Sequence, residues 1–214
     1  MDSLFVALNA WREMLARVFA DFTQQENVSP PWLVNPATRR RLKLDSYYPE
    51  AGIAVRFVGL KAKGQGRQSD WELLEEEQRD QTRAELCQAN GVQLFLVDPL
   101  EDAVKQLDTL IRLLSRAGRV LAQSDRPVAE KSVWQPRLGA ARAKAEELRR
   151  LVARQPEQML ANLADSWRDR EIGLASSLAP LPLPTPTRTA VQQALHLAEG
   201  QRVAHTKYGA GVVT

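Results

Sequence analysis

An α/β fold followed by a helical region is what this sequence predicts. Three observations predict it. Short β-type runs occur at Leu42–Leu44, Ile53–Val58 and Val92–Val97. A charged helical stretch separates the last two runs. Long apolar stripes at three- and four-residue steps come before and after them, as amphipathic helices require.

The chain has 214 residues, 44% hydrophobic and 26% charged, the composition of an ordinary globular protein with room for a sizeable core. A net charge of +3 permits nucleic acid as a partner without indicating it. The single cysteine, Cys87, excludes an internal disulfide and fits a reducing, cytoplasmic setting. No run of ~18 apolar residues is present, so no membrane span is expected. The Met1-Asp2 start lacks the basic region of a secretory signal.

Leu4, Leu8, Trp11, Leu15, Val18, Phe19 and Phe22 form one face of a first helix, which Pro30 and Pro31 stop. Two strands follow between residues 38 and 58, joined by a turn at Pro49-Glu50-Ala51-Gly52. In the second strand Ile53, Val55 and Phe57 point one way, and Ala54, Arg56 and Val58 the other. Lys61 to Arg67 is a basic loop with Gly64 and Gly66. Ser69 and Glu72 have capping-box spacing, so a helix begins near Asp70 and ends at Asn90-Gly91. Val92 to Val97 is a buried-type strand.

Asp98 as N-cap and Pro99 at the first position start the next helix, with Leu100, Val104, Leu107, Leu110, Ile111, Leu114 and Leu121 as its stripe. Ser124 to Trp134 carries little pattern. Helices are expected from Pro136 to Arg154 and from Pro156 to about Ile172, as a hairpin or a partner-binding arm. Pro180, Pro182, Pro184 and Pro186 mark an extended linker. A short helix and a strand–turn–strand close the sequence. The expected organisation is an α/β domain over 1–123, a helical region over 124–178, a linker over 179–188 and a small β module beginning in 189–214.

Leu44-Asp45-Ser46-Tyr47-Tyr48-Pro49-Glu50, Gln78-Arg79-Asp80, Glu85-Leu86-Cys87 and Asn90-Gly91-Val92 occur in an order that resembles the restriction-endonuclease-like PD-(D/E)XK superfamily, near its very-short-patch repair branch. The resemblance covers about residues 1–100. It implies a central mixed β-sheet flanked by helices, with carboxylates on adjacent strands holding Mg²⁺ for phosphodiester hydrolysis. By position Asp45 is the first metal-binding carboxylate. The second acid and its cationic partner would fall at residues 56 and 58, where this chain has Arg56 and Val58.

A guanidinium cannot replace a metal-binding acid. Arg56 suits pairing with Asp45, or gripping a phosphate through its planar fork. The expected centre is therefore a degenerate one that needs no cofactor. The alternative is an active Mg²⁺-dependent nuclease in which Glu50 or Glu77 supplies the second acid and Lys61 or Lys63 the cation. Asp45 also reads as a plain turn or cap residue.

Arg39, Arg40, Arg41 and Lys43, with Lys61, Lys63 and Arg67, form a candidate DNA-phosphate surface, the other reading being solubilising charge near loops. Trp71, Trp134 and Trp167 are expected in the core rather than as base-stacking platforms. Cys87 is expected to pack rather than react. Arg202 to Val213 resembles the opening of the small Tudor-like barrels of repair helicases and CarD-type regulators, and stops where such a barrel would only be starting. That resemblance implies RNA polymerase, a helicase or nucleic acid as partner. Besides DNA binding, the sequence leaves open a protein-interaction scaffold built on the helical region, and it leaves the oligomeric state open.

Overall fold

The computed structural model describes residues 3–60, 70–178, 202–205 and 209–212. The chain divides into two compact units, Met1–Ile172 and Gly173–Thr214. The architecture is α/β and mostly helical, with a four-stranded mixed sheet and five helices among the described residues.

The first helix, α1 (Ser3–Val18), buries Ala10, Trp11, Met14, Leu15 and Val18. The chain then makes a strand that periodicity does not reveal, β1 (Gln25–Val28). Its sequence, Gln-Glu-Asn-Val, is polar and largely exposed, as suits the outer strand of a sheet. β2 (Leu44–Tyr48) and β3 (Ile53–Phe57) are joined by the Pro49–Gly52 turn, where Gly52 adopts φ +63° and its N–H donates to the Pro49 carbonyl at 3.3 Å. β1, β2 and β3 are antiparallel neighbours. The charged helix α2 (Asp70–Ala89) then crosses to β4 (Gln93–Val97), which pairs parallel with β3.

The end of α2 is a Schellman motif. The Gly91 N–H reaches the Gln88 carbonyl at 3.0 Å and the Val92 N–H reaches Cys87 at 2.9 Å, with Gly91 at φ +69°.

Alternation along β3 divides the core as expected. Ile53, Val55 and Phe57 join Phe95, Val97 and the helices on one face, whereas Ala54 joins Leu33, Leu42, Cys87 and Val92 on the other. On the first face Trp11 meets Phe95 edge-on at 5.8 Å, and Phe19 stacks on Tyr48 at 4.1 Å.

The next helix, α3, spans Ala103–Gln123 and starts later than Asp98. The Asp102 carboxylate accepts the Val104 and Lys105 N–H groups at 2.8 and 3.0 Å and is the true N-cap. Asp98 instead holds a separate turn, accepting the Leu100 N–H at 2.9 Å, and Leu100 is exposed outside the helix. Gln106 ties the two together: its Oε1 accepts from the Asp98 N–H and its Nε2 donates to the Asp98 carbonyl. Gly59, at φ +71°, lies so close that a Cβ would come within 3.0 Å of the Asp98 carboxylate. Gly59→Ala is expected to destabilise by about 1–2 kcal/mol in urea titrations, because left-handed backbone and contact both oppose it.

α4 spans Val128–Arg154, so the stretch before Pro136 is helical rather than patternless, and Pro136 lies inside the helix. Tertiary contacts hold this first part. Trp134 stacks on Phe22 at 5.9 Å, Arg137 sits over the Trp134 ring at 4.8 Å, and Gln135 donates to the Gly118 carbonyl. α4 lies along α3. Leu138, Ala141, Ala145, Leu148 and Val152, with Leu163 and Ala164 of α5 (Pro156–Leu178), belong to the same core as α1.

In the second unit, β5 (Arg202–His205) and β6 (Gly209–Val212) form an antiparallel pair, Arg202 opposite Val212 and His205 opposite Gly209. The proline-rich stretch lies outside the described residues.

Candidate functional site

Asp45 stands near the start of β2 and Arg56 near the end of β3, side by side across the antiparallel pair. Arg56 Nη1 donates to both Asp45 oxygens, at 3.0 and 3.1 Å, and the Phe57 N–H donates to Oδ2 at 2.7 Å. Both side chains are about a quarter exposed, 28% and 27%. The Asp45 carboxylate is thus taken up by a guanidinium and a backbone amide, and the cation beside it is covalently part of the chain. Asp45 also borders a cavity of about 250 Å³ with Arg12, Glu26, Phe57 and Glu171. Among the described residues no three His, Cys, Asp or Glu side chains are grouped so as to hold a metal ion.

The two acids that the sequence offered as a second carboxylate, Glu50 and Glu77, are elsewhere. Glu50 lies past the far end of β2, and at ~3.3 Å per residue Asp45 and Tyr48 alone are already about 10 Å apart. Glu50 borders a different cleft, with Gly91 and Arg126. Glu77 is exposed on α2. Lys61, Lys63 and Arg67 lie outside the described residues.

The basic run behaves differently. Asn35 builds the loop that carries it, its side-chain oxygen accepting the Ala37 and Thr38 N–H groups at 2.9 and 3.2 Å. The Arg39 N–H returns to the Asn35 carbonyl at 2.8 Å and Val34 bridges Arg41. Leu33 and Leu42 anchor the loop in the smaller core. Arg39, Arg40, Arg41 and Lys43 are all exposed. Arg39 sits at φ +54°, a conformation that costs a non-glycine side chain about 1 kcal/mol.

This loop faces α2 across an open trench of about 800 Å³. Arg40, Arg41 and Lys43 line one wall, and Glu75, Gln78, Arg79 and Arg83 the other. Among the described residues Glu75 is the sole acid of the lining, and Arg79 Nη2 already engages it at 2.7 Å. Arg39 is not part of the lining.

Arg83, at the floor, is nearly buried and pairs with Asp80. Burial, then the like charge of Arg56, push its guanidinium below its ordinary value, and Asp45 opposes that shift. The floor of the trench is thereby linked electrostatically to the Asp45–Arg56 pair. Neither Arg56 nor Arg83 finds an acceptor for its buried Nε–H among the described residues.

Cys87, one turn beyond Arg83, is fully buried, and burial pushes its thiol up to about 11 against the influence of Arg83. A thiol so placed carries almost no thiolate at neutral pH. Alkylation of the native protein at pH 7.5 is expected to leave Cys87 unmodified, with rapid labelling in 6 M guanidinium. Rapid labelling of the native state would place the thiol on the surface.

Two features are not legible in the sequence. Arg79 and Arg83 stand there as parts of a helix, with no sign that they form the second wall of a basic trench. Nothing in one helix says which loop it will face. Trp71, expected in the core, is 69% exposed on α2. Trp134 and Trp167 are half-buried. The polar neighbours of Trp71 at the four-residue step, Glu75 and Arg79, are the available signal that its face is wet.

Comparison with family models, curated proteins and solved structures finds no match to this chain. No helix among the described residues is long and apolar enough to cross a membrane.

Proposed function

We propose that this chain binds DNA through the trench between the Arg40–Lys43 strip and α2, and holds the phosphodiester without cutting it. The observation that carries this reading is the trench lining, five cations against one acid among the described residues. Arg40, Arg41 and Lys43 are exposed side chains that a phosphate backbone can reach, whereas Arg79 and Arg83 are already paired with Glu75 and Asp80.

In this reading the sheet and α2 form a restriction-endonuclease-like core, supported by the order of motifs from Leu44 to Val92. The position that would receive Mg²⁺ is filled by the Asp45–Arg56 pair, so the nuclease centre is degenerate. Arg56, tied to Asp45, serves the frame and leaves phosphate contact to the exposed cations.

A titration of labelled duplex and single-stranded DNA tests it, read by fluorescence anisotropy across salt. With three phosphate contacts, log K is expected to fall with log[salt] at a slope of about −2 to −3. Absent or salt-independent binding overturns the proposal. Incubation of supercoiled DNA with Mg²⁺ or Mn²⁺ is expected to give no cleavage. Cleavage abolished by Asp45→Ala would restore the active nuclease.

A further inference from the structure

Trp71 is outside the trench lining itself and stands on α2 one helical turn before Glu75, which belongs to it. Residues 71, 75, 78 and 79 recur at helical spacing on one face, and the last three line the trench. The indole is also held in place. Its Nε1–H donates to Glu75 Oε1 at 3.1 Å, while Arg79 donates to Glu75 Oε2 at 2.7 Å. Glu75 is thus a clip between a tryptophan ring and a trench arginine. The ring is 69% exposed, and Leu74 beside it is 56% exposed.

A large aromatic left in water, linked through Glu75 to an arginine of a basic trench, matches what single strands require. A charged groove follows the backbone, and a π-face receives a base that is not paired in a duplex. A duplex cannot meet both needs at once, because its bases are stacked inward.

We infer that the trench takes single-stranded nucleic acid, with an unpaired base stacked on Trp71 and its flanking phosphates on Arg40, Arg41 and Lys43. This rests on the trench being a phosphate-binding surface. It adds the substrate class and the residue that selects it. Glu75 then has a positioning role. Its negative charge opposes phosphate, and its two hydrogen bonds fix the ring and Arg79.

The test compares the full chain with Trp71→Ala and Trp71→Phe. The probes are an oligo-dT strand, the same strand with abasic sites, a duplex of equal length and an oligo-U strand, at one salt concentration. Trp71→Ala is expected to weaken oligo-dT binding about 5- to 100-fold, the usual range for loss of one stacked base. Trp71→Phe should recover part of that loss. The abasic strand should bind wild type and Trp71→Ala alike, and the duplex should be unaffected by either substitution. Equal use of oligo-dT and oligo-U would assign the site to single strands of both sugars. Preference for one would be assigned to the sugar or to the thymine methyl by an oligo-dU strand.

If wild type binds the strands with the expected salt dependence but Trp71→Ala binds as tightly, the stacking inference fails and the trench survives. The stacking inference also fails, with the trench intact, if the duplex binds at least as tightly as oligo-dT. If no probe binds, the trench reading itself fails.

Discussion

Replacing Arg17 and Arg170 together by alanine is expected to destabilise the protein by about 3 kcal/mol or more, the cost of stranding a buried charge. The charge is Glu13, whose side chain is 2% exposed on the inner face of α1. Arg17, one turn along, donates to Oε1 at 2.7 Å, and Arg170 of α5 forks onto both oxygens at 2.9 and 3.1 Å. Both arginines are near 40% exposed, so water can solvate them when they lose Glu13, whereas Glu13 has no such recourse. Each single substitution should therefore cost much less, about 1 kcal/mol, because the remaining arginine still covers the carboxylate. In a Glu13→Gln background the double substitution should become nearly neutral, and that double-mutant comparison isolates the pair.

The same cluster sets a pH dependence. Burial pushes the Glu13 carboxyl up, but the hydrogen bonds and charges of Arg170 and Arg17 outweigh it and hold it below the ordinary value. A carboxyl depressed in the folded state contributes stability that is full above its unfolded pKa and lost as pH falls through the folded one. Urea midpoints of wild type should thus fall from pH 6 to pH 3 more steeply than those of Glu13→Gln. Parallel curves would show that the cluster carries no linkage.

The second large effect is on binding. Neutralising Arg40, Arg41 and Lys43 is expected to lower DNA affinity about 100-fold, at about 1 kcal/mol for each exposed charge-assisted contact. Stability should be unaffected, because these side chains are exposed and the loop is held by Asn35, Leu33 and Leu42. The anchors and the cations are different residues, so a binding loss with unchanged urea midpoint has one meaning.

Much of the fold is legible in the sequence because periodicity and punctuation agree. The Trp11–Val18 stripe, the Pro49–Gly52 turn, the division of β3 between two faces and the Asn90-Gly91 stop each follow from local chemistry. Where two local signals compete, tertiary structure decides. Asp98 and Asp102 are both good caps, and Gln106 together with the close approach of Gly59 commits Asp98 to its own turn. Pro136 reads as a helix start, but stacking of Trp134 on Phe22 secures the turns before it. β1 is hidden because an edge strand that faces water need not alternate.

For the site, the side-by-side placement of Asp45 and Arg56 follows from counting along two strands. The opposing wall of Arg79 and Arg83 does not, since it depends on how α2 is laid across the sheet. That long-range placement is also what leaves Trp71 in solvent.

The most direct test of the trench is the salt slope of DNA binding in two triple variants of equal charge change. One is Arg40→Ala, Arg41→Ala and Lys43→Ala. The other is Arg142→Ala, Lys144→Ala and Arg150→Ala, on the charged face of α4. Loss of three phosphate contacts should flatten the slope of log K against log[salt] by about 2 to 3 in the first variant and leave it near wild type in the second. Equal flattening in both, or none in the first, would contradict the account.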